Sequence, residues 1–153
     1  MSDFRRPDWW DNRVKELKHN LKDLIFLNDH REEYWRRVDE LLSLYKDKKV
    51  LDVCCGYGRF SNFKDYTGID FSSEMLKLAK EQNPDKNFIL HNGKDGYKGQ
   101  YDIVFEVNSL HSLGITPEEF YDLYKDQADY VMCLERNIFY IYNNYESRKS
   151  NKG

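Results

Sequence analysis

The sequence predicts an α/β fold of three layers around a doubly wound, mostly parallel sheet, and three observations predict it. Short apolar runs at Val50–Val53, Phe88–Leu90, Tyr101–Val107 and Tyr130–Leu134 alternate with segments of helical periodicity. The first run enters a turn of small residues, Cys54-Cys-Gly-Tyr-Gly58. The next apolar segment, Tyr66-Thr-Gly-Ile-Asp-Phe71, ends in an acid, Asp70. Gly56 and Gly58 have no side chain to block a ligand from the main chain, and ligands of open parallel sheets bind beyond the strands' C-terminal ends. An acid about twenty residues after such a turn is placed to accept hydrogen bonds from ribose hydroxyls, and the spacing here falls slightly short of that.

Taken in order, residues 1–7 read as a loose end. Asp8 reads as the cap of a helix carrying Trp9 and Trp10, with Val14, Leu17, Leu21, Leu24, Ile25 and Leu27 at helical spacing. Asn28-Asp29-His30 reads as a break and a new cap. The second helix places Tyr34, Val38, Leu41, Leu42 and Tyr45 on one side, with Trp35 beside them. Both helices are expected to pack on the sheet. Trp9, Trp10, His30, Tyr34 and Trp35 are also the candidates for a lid over a ligand crevice, where aromatic faces attract a cation.

Asp52 lies inside the first strand, where a carboxylate is costly unless hydrogen-bonded. A short helix is expected between Gly58 and Tyr66. Ser72 or Ser73 caps the next helix, which runs to Asn83 with Met75, Leu78 and Ala79 toward the sheet and Pro84 past its end. Phe88-Ile-Leu90 leads into His91-Asn92-Gly93, a turn. The fourth strand, Tyr101–Val107, ends in Asn108-Ser109-Leu110-His111. Thr116-Pro-Glu-Glu119 is a capping box with proline in the first helical position, and that helix is expected to reach about Ala128. Ile138–Tyr145 fits helix or strand, and residues 147–153 read as a frayed polar end.

Composition narrows the function. A chain of 153 residues suggests one domain, and Lys plus Arg number 24 against 27 Asp plus Glu, a net charge of −3. That balance argues against a general grip on nucleic-acid phosphates. No run is long and apolar enough for a membrane span, and no secretory leader is evident, so a cytoplasmic location is expected. Three cysteines, two of them adjacent, build neither a disulfide framework nor a metal site, and no metal is expected.

Val50-Leu-Asp-Val-Cys-Cys-Gly-Tyr-Gly-Arg-Phe60, then Gly68-Ile-Asp-Phe-Ser-Ser-Glu-Met-Leu76, then Tyr101-Asp-Ile-Val104 resemble the ordered motifs of class I S-adenosylmethionine-dependent methyltransferases over roughly residues 48–135. A dehydrogenase fingerprint would want a third glycine where Ser61 stands. The resemblance implies a Rossmann-like methyltransferase fold with S-adenosylmethionine as cofactor and S-adenosylhomocysteine as product. It implies cofactor-binding roles for Asp52, Cys54, Cys55, Gly56, Gly58, Asp70, Phe71, Met75, Asn92, Gly93 and Glu106, with Asp95 competing for the adenine-edge role of Asn92. Glu106, Asn108 and His111 become candidates for orienting the acceptor, and His111 is also a candidate proton acceptor.

The family most often has glycine where Cys54 stands, although Cys-Cys-Gly also occurs in enzymes resembling menaquinone methyltransferases. The implied activity is methyl transfer to a small-molecule acceptor. The rival readings are a non-catalytic S-adenosylmethionine-binding or interaction protein and a cofactor-cleaving activity on the same fold. The expected organisation is a single domain with a helical cap over 1–46, a core sheet over 47–135 and a tail over 136–153. The family usually continues with two further strands and a substrate region, so the chain is expected to be C-terminally shortened. Either the N-terminal helices build the acceptor site or a second subunit, as in a homodimer, completes it.

Overall fold

The computed structural model describes residues 5–17, 20 and 32–152. The elements are α1 (Pro7–Leu17), α2 (Glu32–Ser43), β1 (Lys49–Val53), β2 (Asp65–Asp70), α3 (Ser73–Gln82), β3 (Asn87–Leu90), a 3-10 turn (Gly93–Asp95), β4 (Tyr101–Val107), α4 (Leu110–Leu113), α5 (Pro117–Tyr124), β5 (Ala128–Leu134), β6 (Phe139–Asn143) and α6 (Tyr145–Lys152). One sheet holds the strands in the order β3-β2-β1-β4-β5-β6. The first five are parallel and β6 runs antiparallel to β5. The expected doubly wound α/β architecture is the one observed.

The sheet sits in the middle because its inner strands are apolar on both faces. Val50, Leu51 and Val53 of β1 are fully buried. Side chains alternate, so Val50, Ile103, Phe105, Met132 and Leu134 face α2 and α3 through Val38, Leu42, Leu76 and Ala79. Leu51, Val53, Val104, Val131 and Cys133 face the other way, against Leu110, Leu113, Phe120 and Tyr124 of α4 and α5. Burying each such leucine or phenylalanine contributes about 1.5–3 kcal/mol.

The N-terminal helices divide their work. α2 packs on the sheet as expected, and the Tyr34 hydroxyl donates to the Leu134 carbonyl at the end of β5. α1 does not belong to either sheet-facing cluster. Its Val14, with Trp10 and Leu17, packs on Met75 and Leu78 of α3 and on Tyr57. α1 begins at Pro7, so Asp8 sits in its first turn and is not its cap. Asp11 of α1 reaches the start of α3, accepting from the Ser72 hydroxyl at 2.5 Å and from the Glu74 N–H at 3.2 Å. Ser72 in turn accepts from the Met75 N–H at 3.1 Å. The residues read as continuing the first helix, Leu21 to Leu27, and the cap at 28–30, including His30, lie outside the described residues.

Four expectations are corrected. The segment between β1 and β2 holds turns where a short helix was expected. Gly56 and Gly58 take φ of 57° and 83° there, which interrupts a right-handed helix, and Phe63 plugs into the core. The helix after Thr116 stops at Tyr124, because Ala128 already opens β5. Residues 136–153 are not a tail. Ile138–Tyr145 resolves into β6, and the end expected to fray forms α6. Asn144 anchors this segment, accepting from the Tyr121 hydroxyl at 2.6 Å and donating to the Lys125 carbonyl at 3.1 Å.

Candidate functional site

A cavity of about 670 Å3 opens over the C-terminal ends of β1, β2, β4 and β5. Such a volume accommodates a ligand of nucleoside size or larger. β1 delivers Asp52 and the turn Cys54–Tyr57 to its wall, and β2 delivers Asp70 and Phe71. The loop after β4 contributes Asn108 and Ser109, and the connection from β5 to β6 contributes Glu135 and Arg136. Trp10 of α1 and Trp35 of α2 also line it.

The β1–β2 side is held by its own hydrogen bonds. Asp70 Oδ2 accepts from the Gly56 N–H at 2.9 Å and Oδ1 accepts from the Ser72 N–H at 3.0 Å. The carboxylate thereby shapes the turn that precedes it by fourteen residues. Burial still raises its proton affinity to about 6, against the opposing backbone hydrogen bonds, and Asp11 adds to the rise. Asp52 is 2 % exposed and accepts from the Tyr66 hydroxyl at 2.6 Å. Burial lifts Asp52 to about 8, the Tyr66 hydrogen bond opposes that, and Asp70 adds a little, so Asp52 is mostly neutral at neutral pH. Cys54 sits at φ 64°, a left-handed conformation that costs a residue with a Cβ about 1 kcal/mol or more. Burial, with the Asp70 charge next, pushes the Cys54 and Cys55 thiols well up, so neither is a ready nucleophile.

The β4–β5 side is built differently. Glu106 ends up fully buried at the close of β4. Its Oε1 accepts from the Ser109 N–H at 3.0 Å and from the Ser109 hydroxyl at 3.3 Å, which fixes the loop bearing Asn108. Asn108 takes φ 53° and donates its N–H to the Leu134 carbonyl at 3.1 Å. Glu106 Oε2 is buried with no hydrogen-bond partner, and so is Glu135 Oε2. Burial and the facing Glu135 carboxyl raise the proton affinity of Glu106 well above the usual carboxyl range.

Of the residues singled out from sequence, Asp52, Cys54, Cys55, Gly56, Asp70, Phe71, Met75, Asn108, His111, Trp10 and Trp35 line the cavity. Gly58, Asn92, Gly93, Glu106, Trp9 and Tyr34 are outside its lining. A Cβ on Gly58 would come within 2.8 Å of the Phe88 ring, so that glycine serves packing beside β3. Asn92 is exposed and caps the 3-10 turn by accepting from the Lys94 N–H. Gly93 is pressed against Val53, and its carbonyl accepts from Tyr124 at 2.6 Å. Tyr34 is committed to Leu134. Sequence reading missed Tyr57, Ser109, Glu135, Arg136 and Tyr140, all of which line the cavity. Among the described residues, no group of three or more His, Cys, Asp or Glu is placed to hold a metal, and no helix is long and apolar enough to cross a membrane.

A family model described as a methyltransferase domain matches residues 50–140, from β1 into β6. The chain belongs to the methyltransferase domain family. As the ordered motifs implied, that places it among the class I S-adenosylmethionine-dependent methyltransferases. The demethylmenaquinone methyltransferase of Staphylococcus aureus strain MRSA252 is 34% identical over 111 residues, which are 67% of this chain and 44% of that enzyme. The chain therefore spans less than half the length of the curated relatives it matches.

Solved structures agree on the fold. DesVI of Streptomyces venezuelae superposes with a TM-score of 0.57 at 21% identity, over 76% of this chain and 56% of that one. DhpI in its SAH complex superposes with a TM-score of 0.64 at 16% identity, over 86% of this chain and 68% of DhpI. At such identities the likeness is one of fold.

Proposed function

We propose that this methyltransferase domain binds S-adenosylmethionine in the cavity and transfers its methyl group to a small-molecule acceptor. The observation that carries the reading is the pairing of Asp70 with the Gly56 N–H. It sets an acid at the end of β2 beside an open turn whose glycine leaves the backbone exposed. The family match and the fold shared with DhpI in its SAH complex support it.

The residues present fit the cofactor. Asp70 has lone pairs left for ribose hydroxyls after its two backbone bonds. Phe71 and Met75 give an apolar wall for a base. Trp35 Nε1 is a buried donor with no partner on a side chain that lines the cavity, so a ligand acceptor would satisfy it. Asn92 is not available for the adenine edge, because its oxygen already caps a turn outside the cavity.

When bound, the sulfonium supplies an activated methyl group. The chain's own contribution is alignment, and holding reactants in line supplies much of a barrier reduction. The Ser109 loop, fixed by Glu106, carries Asn108 and His111 into the cavity lining beside the end of β1. Trp10 and Trp35 add aromatic surface to the cavity wall.

Calorimetric titration with S-adenosylhomocysteine and S-adenosylmethionine, with NADH as control, tests this. Saturable binding of the first two alone is expected. Folded protein that binds neither would overturn the reading. Binding without transfer to any acceptor would favour the non-catalytic alternative.

A further inference from the structure

Besides Trp35 Nε1, the polar groups described so far mostly answer one another except at one pair of carboxyls. Glu106 and Glu135 each carry a carboxyl oxygen that is buried and has no donor in the protein. The strand register explains how they meet. Glu106 stands opposite Cys133, and Glu135 follows two residues later on the same face. The two carboxyls are within hydrogen-bonding reach, and the Glu135 carboxyl, after burial, raises the cost of ionising Glu106. Two carboxyl oxygens facing each other need a proton between them, and Glu106, whose hold on a proton burial raises, brings it.

Most of the groups described around the pair are acids, thiols or neutral hydroxyls. Ser109 donates to Glu106 from the loop after β4. Cys133 of β5 and Cys54 at the end of β1 are thiols pushed up by burial first and by neighbouring carboxylates second. Tyr140 of β6 stands opposite Cys133, and Glu118 of α5 adds another negative charge. Arg136 lines the cavity mouth, and Arg59 is engaged with Asp39. Only Glu135 of the pair lines the cavity, so it is the member a ligand meets.

We propose that Glu135, sharing a proton with Glu106, recognises and deprotonates the methyl acceptor, and that the acceptor is an amine. This rests on the methyl-transfer reading above. The pair offers acceptors and no donors, so the incoming group must bring its own hydrogens. An ammonium ion brings up to three and the complementary charge, whereas a phenol brings one and is repelled once ionised.

In the step, the ammonium nitrogen gives one proton to the carboxyl pair, and the proton the pair held at rest passes to solvent. The nitrogen lone pair then forms the new N–C bond. The S–C bond breaks with its electrons going to sulfur, leaving the thioether and an N-methylated ammonium. Glu135 is the catalytic residue. Glu106 is a positioning residue whose buried carboxyl faces Glu135 and holds the shared proton.

The test uses the full chain, radiolabelled S-adenosylmethionine, and benzylamine, hexylamine and phenol as probes. Titration with S-adenosylhomocysteine comes first, and its failure in wild type removes the methyl-transfer reading itself. In protein that binds it, transfer to an amine and not to phenol is expected, with a rate that rises with pH. Glu135→Gln is expected to lower kcat about a hundredfold with S-adenosylhomocysteine affinity unchanged. Glu106→Gln puts an amide donor against Glu135, so the acid limb of its rate profile moves to lower pH. Preference for phenol, no transfer to either amine, an undiminished kcat in Glu135→Gln, or an unmoved limb in Glu106→Gln would each overturn the proposal.

Discussion

The two sides of the cavity handle buried carboxyls in opposite ways. On the β1–β2 side, Asp70 and Asp52 are answered by the protein itself, through Gly56, Ser72 and Tyr66. On the β4–β5 side, Glu106 is answered on one oxygen only, and Glu135 shares its predicament. Satisfied groups rigidify a wall, while unsatisfied ones keep a demand that a ligand can meet. The contrast separates a side built to hold a ligand in place from a side built to react with one.

The largest test of that contrast is Asp70→Ala. It removes the partner of two backbone N–H groups as well as the ribose contact, and hydrogen bonds to a charged group contribute about 1.5–3 kcal/mol each. The dissociation constant for S-adenosylhomocysteine is expected to rise at least about tenfold, with Glu106→Ala and Glu135→Ala far less affected. Comparable calorimetric losses in all three folded variants would erase the distinction between the sides.

A smaller effect sharpens it through pH. Asp52 is raised to about 8 in the fold, above its unfolded value near about 4. The folded chain therefore keeps a proton that the unfolded chain has lost. The stability this gives is fully present below about pH 4 and is lost as pH climbs through about 8, by up to about 1.4 kcal/mol per pH unit. Asp52→Asn removes that slope while leaving an oxygen for Tyr66. Denaturant midpoints are expected to favour the variant over wild type more at about pH 8 than at about pH 5. An equal difference at both would mean that Asp52 ionises normally.

The smallest effect concerns the turn itself. Cys54→Gly relieves the left-handed backbone at φ 64° and gives up the contact between the thiol and Ser109. A net gain of no more than about 1 kcal/mol in thermal or denaturant unfolding is expected. A clear loss would show that the thiol ties the two sides of the cavity together.

Much of this was legible in the sequence because the β1–β2 side is local. Cys54–Gly58 and Asp70 lie twelve to sixteen residues apart and at the ends of adjacent strands, and their spacing is itself the signal. The Thr116 capping box was legible for the same reason. Glu135 was not, because a glutamate after a strand has no distinguishing neighbours in the chain. Only the pairing of β4 with β5 brings it to Glu106. β6 was ambiguous since Phe139-Tyr-Ile-Tyr is aromatic or aliphatic at every position, and each face of the edge strand finds something apolar. Asn92 was read as a ligand contact because its turn-capping bond uses the same chemistry.

The reach of Asp11 across to α3 has a consequence for motion. A helix whose first turn is capped by a residue of another helix cannot lose that neighbour without fraying. If α1 lifts, Ser72 and the Glu74 N–H lose their acceptor together, and the apolar contacts of Val14 on Met75 and Leu78 go with them. α1 and the beginning of α3 therefore open as one cooperative unit, carrying Trp10 away from the cavity. Hydrogen exchange at a single amide, that of Glu74, reports how often this wall stands open.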